Sequence, residues 1–114
     1  MRYKDVAIIG MSMRFAGANN KEEFRSLLLN KKAGFGKPSQ KRLEQMGEDP
    51  DKEYLKCGYL DNISEFDYEY FNINKKEAEL MAPEQRICLE MAAETISDTT
   101  YWKGDGDRRK KSQI

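Results

Sequence analysis

The stretch Asp5-Val6-Ala7-Ile8-Ile9-Gly10-Met11 decides the fold class. Four consecutive apolar residues, three of them β-branched, closed by a glycine, predict a short strand buried on both faces rather than a helix. Such a strand needs a covering layer on each side, which points to an α/β architecture with one buried strand, covering helices and long loops. The run is far too short for a secretory core segment or a membrane-spanning helix.

Helix signals follow downstream of a glycine-marked loop, Arg14-Phe15-Ala16-Gly17-Ala18-Asn19. Asn20 is placed to cap a helix, with Glu23 three residues on to bond back to the cap nitrogen. Phe24, Leu27 and Leu28 then fall on one face at helical spacing. Lys31 and Lys32 suit the negative end of the helix dipole, and Gly34 is the predicted stop. Further on, Lys75 to Met81 reads as a short helix, and Pro83 opens a longer one from the first helical position, where its lack of an N–H costs nothing. In that helix Ile87, Cys88, Leu89, Met91, Ala92 and Ile96 spread over a wide apolar arc. Arg86, Glu90, Glu94 and Ser97 share a narrow polar strip. A helix with so little polar surface is expected to be mostly interior, with Cys88 an inert core thiol.

Between these helices the character changes. Half of residues 37–56 are charged, and Pro38 and Gly47-Glu48-Asp49-Pro50 punctuate them. The stretch predicts a solvated excursion with one helical turn around Lys41 to Met46. From Tyr59 to Phe71 there are five aromatics in thirteen residues, interleaved with acids. Acidic neighbours repel phosphate, so these rings are expected to pin a loop onto the core rather than to stack bases.

Composition narrows the chemistry. The chain has 114 residues, 20 Lys+Arg against 20 Asp+Glu, and no histidine. Zero net charge gives no basic surplus with which to recruit nucleic acid or a membrane surface by counterion release. Without histidine there is no Ser-His-Asp or Cys-His catalysis and no histidine-containing metal site within this sequence. Two cysteines, Cys57 and Cys88, cannot build a four-cysteine zinc site, and reduced thiols in a cytoplasmic setting are the default. Gly10-Met11-Ser12-Met13-Arg14 follows the predicted strand where a nucleophile elbow would sit, but Arg14 occupies the position that needs glycine. Asp105-Gly106-Asp107 lacks the other ligand positions of a calcium loop. Catalytic, cofactor-binding and metal-ligating residues are therefore all expected to be absent.

Four ordered segments carry a family resemblance. Val6-Ala7-Ile8-Ile9-Gly10-Met11-Ser12 with Arg14-Phe15-x-Gly17, then Glu22-Glu23-Phe24-Arg25-Ser26-Leu27-Leu28, resembles the opening of ketosynthase domains of polyketide synthases. Gly58-Tyr59-Leu60 with Phe66-Asp67, Tyr70-Phe71-Asn72-Ile73 and Glu77-Ala78-Glu79 looks like the family's next motif. Met81-Ala82-Pro83-Glu84-Gln85-Arg86 with Leu89-Glu90 looks like the one after it. The resemblance covers Asp5 to Tyr101 and implies the N-terminal portion of a thiolase-like α/β fold.

In the complete domain the resemblance implies decarboxylative Claisen condensation of acyl and malonyl units on an acyl carrier protein. A cysteine and two histidines that lie beyond the matched region would carry it out. Neither Cys57 nor Cys88 holds the nucleophile position. No cofactor is implied, because the carrier's phosphopantetheine arm is part of the substrate. Residues 1–102 are read as a partial ketosynthase region, and 103–114, with seven charges in twelve residues, as a tail leading to a strand beyond Ile114. The chain alone is expected to be non-catalytic. The alternatives are an interaction module, or one half of a split ketosynthase that binds other synthase subunits or the carrier; neither nucleic acid nor membrane is an expected partner.

Several positions depart from the family pattern. Ala82 stands where the family has a capping aspartate, a loss of about 1 kcal/mol, and Thr100 where it has glycine. Met13, Ala16 and Lys75-Lys76 also differ. These changes and the end at Ile114 are expected to mark a truncated or decaying gene product rather than an optimised independent module. An unpaired strand should leave such a chain aggregation-prone or partly disordered in isolation.

Overall fold

A computed structural model describes residues 4–49 and 51–99. Four helices form, in the order α1 (Lys21–Leu29), α2 (Gln40–Met46), α3 (Lys75–Leu80) and α4 (Pro83–Ser97). The predicted tail from residue 103 and Thr100 lie outside the described residues.

Three of the four helices begin where a side chain satisfies one of their first free N–H groups. The Asn20, Ser39 and Asn74 side chains accept from the backbone N–H three residues on, at Glu23, Arg42 and Glu77. Glu23 reaches back as predicted, but to the Asn19 N–H at 2.7 Å rather than to the cap residue itself. Ala82 has no capping side chain, yet half of the reciprocal arrangement survives: Gln85 Oε1 accepts the Ala82 N–H at 3.1 Å.

The ends are sharper than the sequence suggests. α1 stops at Leu29 because Lys31 turns into the left-handed region (φ 53°), so that the Lys31 and Lys32 N–H groups bond back to Leu28 and Leu27. The two lysines therefore lie beyond the helix instead of in its last turn, and Gly34 is not the stop. α2, the one helix of the charged excursion, closes on Gly47 at φ 64°, a left-handed cap that glycine adopts without steric cost.

The expected buried strand is not present among the described residues. Val6, Ile8 and Ile9 are 90%, 83% and 54% exposed, and the backbone pairings outside helices are two isolated bridges, Phe15 with Ala18 and Gly36 with Cys57. Hydrophobicity and β-branching prepare a segment for a sheet, but a strand exists only when a neighbour accepts its N–H groups. With no neighbouring strand, the α/β layering inferred from this segment does not form within the described residues.

The core is correspondingly small and lies elsewhere. Among the described residues its apolar members are Ala18, Leu43, Phe66 and Ala78. Phe66 is fully buried and stacks on Phe71 with ring centroids 5.3 Å apart, while Tyr70 meets the Phe71 edge at 4.9 Å. The aromatic segment is thus anchored by the buried Phe66 and by stacking among its own rings. α4, expected to be mostly interior, buries only Glu90, and its apolar arc is partly open, with Ile96 49% exposed. Cys88, expected in the core, is exposed. An apolar arc is buried only where a second layer covers it, and the described residues supply none on that side.

Candidate functional site

The segment that should have been a strand leads into a run of polar contacts with α4. Residues 10–14 run antiparallel along α4, making contact about once per helical turn. The Met11 N–H donates to Asp98 Oδ2 at 3.0 Å, and Ser12 Oγ donates to the Met91 carbonyl at 2.8 Å, 2.5 Å from Thr95 Oγ1. Arg14 then spreads its guanidinium across two carboxylates. Nη1 donates to Glu90 at 2.7 Å and Nη2 to Glu94 at 2.8 Å. Lys21, at the start of α1, pairs with Asp98.

Helical periodicity explains this clasp. Glu90, Glu94 and Asp98 recur every four residues and share one face of α4, where three like charges repel one another unless cations lie among them. Arg14 and Lys21 supply the cations. The Arg14 and Glu90 side chains are 10% and 6% exposed, so that bond is shielded from water and salt in a way surface pairs are not. Asp98 is more open; its bonds from Lys21 and from the Met11 N–H hold its carboxyl below the usual carboxylate range.

Gly10 is part of the same fit. A Cβ at that position would come 2.6 Å from the Thr95 carbonyl oxygen and 2.8 Å from Thr99 Cγ2. Gly10→Ala is expected to lift the segment off α4 and to lower stability by about 1–3 kcal/mol, the usual range for overpacking. A urea titration followed by helical circular dichroism checks this; an unchanged midpoint would mean the contact is not tight.

The two cysteines sit in unrelated surroundings. Cys57 and Gly36 exchange backbone hydrogen bonds at 2.9 and 3.0 Å, at the edge of a cleft of about 360 Å³ lined by Lys32, Lys37, Ser39, Tyr59 and Asp61 among others. The Tyr59 hydroxyl is pushed above its ordinary range, mainly by the neighbouring Cys57 thiol and then by burial. Both cysteines are free and exposed. Among the described residues no group of three His, Cys, Asp or Glu side chains is placed to hold a metal ion, and no helix is long and apolar enough to cross a membrane. The two cysteines are not joined to each other, and neither has an imidazole base, since the sequence holds no histidine.

Sequence reasoning placed Glu90 and Glu94 on the narrow polar strip of α4 but assigned that strip no partner. The signal for the clasp was the match between an arginine just after the apolar run and an acidic ladder at four-residue spacing. Asp98, Ser12 and Thr95 carried no such signal, because short polar residues are common at helix ends and in loops.

Comparisons with known proteins agree with the segment order. The family model described as beta-ketoacyl synthase, N-terminal domain, matches residues 3–111. A 6-methylsalicylic acid synthase of Penicillium expansum is 42% identical over 102 residues, covering 82% of this chain and 6% of that protein. Polyketide synthase PksM of Bacillus subtilis strain 168 is 41% identical over 108 residues, covering 92% of this chain and 2% of that protein. Among solved structures, the ketosynthase from module 6 of the bacillaene synthase of Bacillus subtilis 168 superposes with a TM-score of 0.64 at 36% identity. The alignment covers 80% of this chain and 16% of that one.

Proposed function

Because the chain belongs to the beta-ketoacyl synthase family, through its N-terminal domain, we propose that it is the scaffold part of a polyketide synthase ketosynthase and performs no chemistry by itself. The complete domain would join acyl and malonyl units held on the phosphopantetheine arm of an acyl carrier protein, with loss of carbon dioxide. The observation that carries this reading is the thiol chemistry: Cys57 and Cys88 are exposed, and the chain has no histidine to serve either as base. What the chain offers instead is a clasped loop that delivers Val6–Ile9 away from α4, ready to join a sheet supplied by other residues of the synthase.

The uncovered apolar run favours a structural half over a free-standing enzyme. Its partner would be the rest of a synthase polypeptide, or a separate subunit that brings the cysteine and the histidines. Incubation with an acyl-carrier thioester, followed by intact-mass measurement, is expected to leave Cys57 and Cys88 unmodified. A stable acyl adduct on either thiol that turns over on addition of a malonyl-carrier would overturn the reading.

A further inference from the structure

Cations without counter-charges gather at the cleft beside Cys57. Lys32 and Lys37 line it and are exposed, and neither takes part in an ion pair among the described residues. A second and independent sign is Arg42, on α2 three residues beyond Ser39. Its Nε and Nη1 are shut off from solvent and have no hydrogen-bond partner. The Tyr59 hydroxyl stands beside the Cys57 thiol and within reach of the Arg42 charge. A guanidinium left without an acceptor marks a place that suits an anion. Among the described lining residues Asp61 is the one carboxylate. The wall is held in place: Cys57 and Gly36 exchange backbone hydrogen bonds, and a Cβ at Gly34 would overlap the Ala16 carbonyl oxygen, at 1.9 Å.

We propose that this cleft is a modification site at which Cys57 exchanges with an anionic disulfide, of the chemical class of oxidised glutathione. The Cys57 thiolate attacks one sulfur of the disulfide. A new S–S bond forms to Cys57 as the ligand's own S–S bond breaks, and the second half leaves as a thiolate that takes up a proton. Cys57 is oxidised and the departing half is reduced, so the disulfide itself is the oxidant. The carboxylates of oxidised glutathione suit Lys32 and Lys37, and its ammonium groups suit Asp61. A volume of about 360 Å³ is within the range of small-ligand clefts. Cys88 is the internal contrast. It is also free and exposed, but the residues one turn away from it on α4 are Glu84, Gln85, Met91 and Ala92, with no cation among them. Exposure makes the two thiols alike, and the cations separate them. The proposal goes beyond the scaffold reading and does not rest on it.

The test treats the reduced full chain with oxidised glutathione at low ionic strength and follows each cysteine by peptide mapping. Cys57 is expected to be modified about 3–10-fold faster than Cys88, with the lead shrinking at high salt. Cystamine, a disulfide that carries cations instead, should show no preference for Cys57. Lys32→Gln combined with Lys37→Gln should slow Cys57 toward oxidised glutathione by about 3–10-fold and leave Cys88 unchanged. Lys32→Arg with Lys37→Arg should keep the wild-type rate. Both lysines are exposed, so the helical circular dichroism of these variants should match the wild type. Equal rates at the two cysteines, the same lead toward cystamine, or a Cys57 rate indifferent to the double glutamine substitution would each overturn the proposal. The exchange involves no thioester, so its failure leaves the scaffold reading in place, and an acyl adduct from a carrier bears on that reading alone.

Discussion

Arg14→Met is expected to cost about 3–5 kcal/mol, a large share of the total stability of a domain, which is of the order of 5–15 kcal/mol, and to move the urea midpoint sharply down. The reason lies in what the substitution leaves behind. Glu90 is 5% exposed and Glu94 sits one turn away, so removing the guanidinium puts two carboxylates side by side in a site that water reaches poorly. An exposed pair such as Lys52 with Glu48, bonded at 3.0 Å, should change stability little when broken, although its distance is similar. Burial, and not geometry, separates the two cases.

A double substitution tests the cause. Arg14→Met with Glu90→Met removes both the cation and the carboxylate buried most deeply against it. The double variant should be more stable than Arg14→Met alone by about 1–3 kcal/mol, since a buried ion pair replaced by apolar groups often costs little. Urea midpoints of the wild type, the single variants and the double variant give the coupling directly. If Arg14→Met and the double variant unfold at the same urea concentration, the loss comes from packing of the arginine stem and not from charge burial.

How far the sequence could be read follows from which forces are local. Helix starts were legible at Asn20 and Pro83, and the α2 turn near Lys41, because capping and proline placement depend on residues within one turn. The end of α1 was less so, since Lys31 rather than a glycine takes the left-handed position. The apolar run at Val6–Ile9 and the apolar arc of α4 misled for a common reason. Both report what a segment could bury, and burial needs a second surface that a local pattern does not contain. The family resemblance carried the identity of the chain better than periodicity did, because the order and spacing of four motifs are a property of the whole sequence. The Arg14 clasp falls between the two. Each of its partners was visible, but the contact spans 76 residues along the chain and only the fold places it.

Phe66→Ala is the second large effect expected, and it measures where the core is. Phe66 is the largest fully buried side chain among the described residues. Its truncation should cost about 3–5 kcal/mol from lost transfer energy and the cavity left behind, including about 0.5–1.5 kcal/mol for the stacked ring of Phe71. Phe66→Leu keeps most of the apolar volume but not the stack, so it should fall well short of the alanine cost. Val6→Ala provides the contrast. A strand buried on both faces would make that change cost more than about 1 kcal/mol, whereas a side chain 90% exposed should shift stability by less than about 0.5 kcal/mol. The four proteins are compared by thermal melting at the same concentration, with near-ultraviolet circular dichroism reporting the aromatic cluster. A large loss at Phe66 with none at Val6 places the stabilising core in the aromatic loop. Comparable losses at the two positions would mean that Val6 is covered in solution, and that the sheet expected from the sequence forms after all.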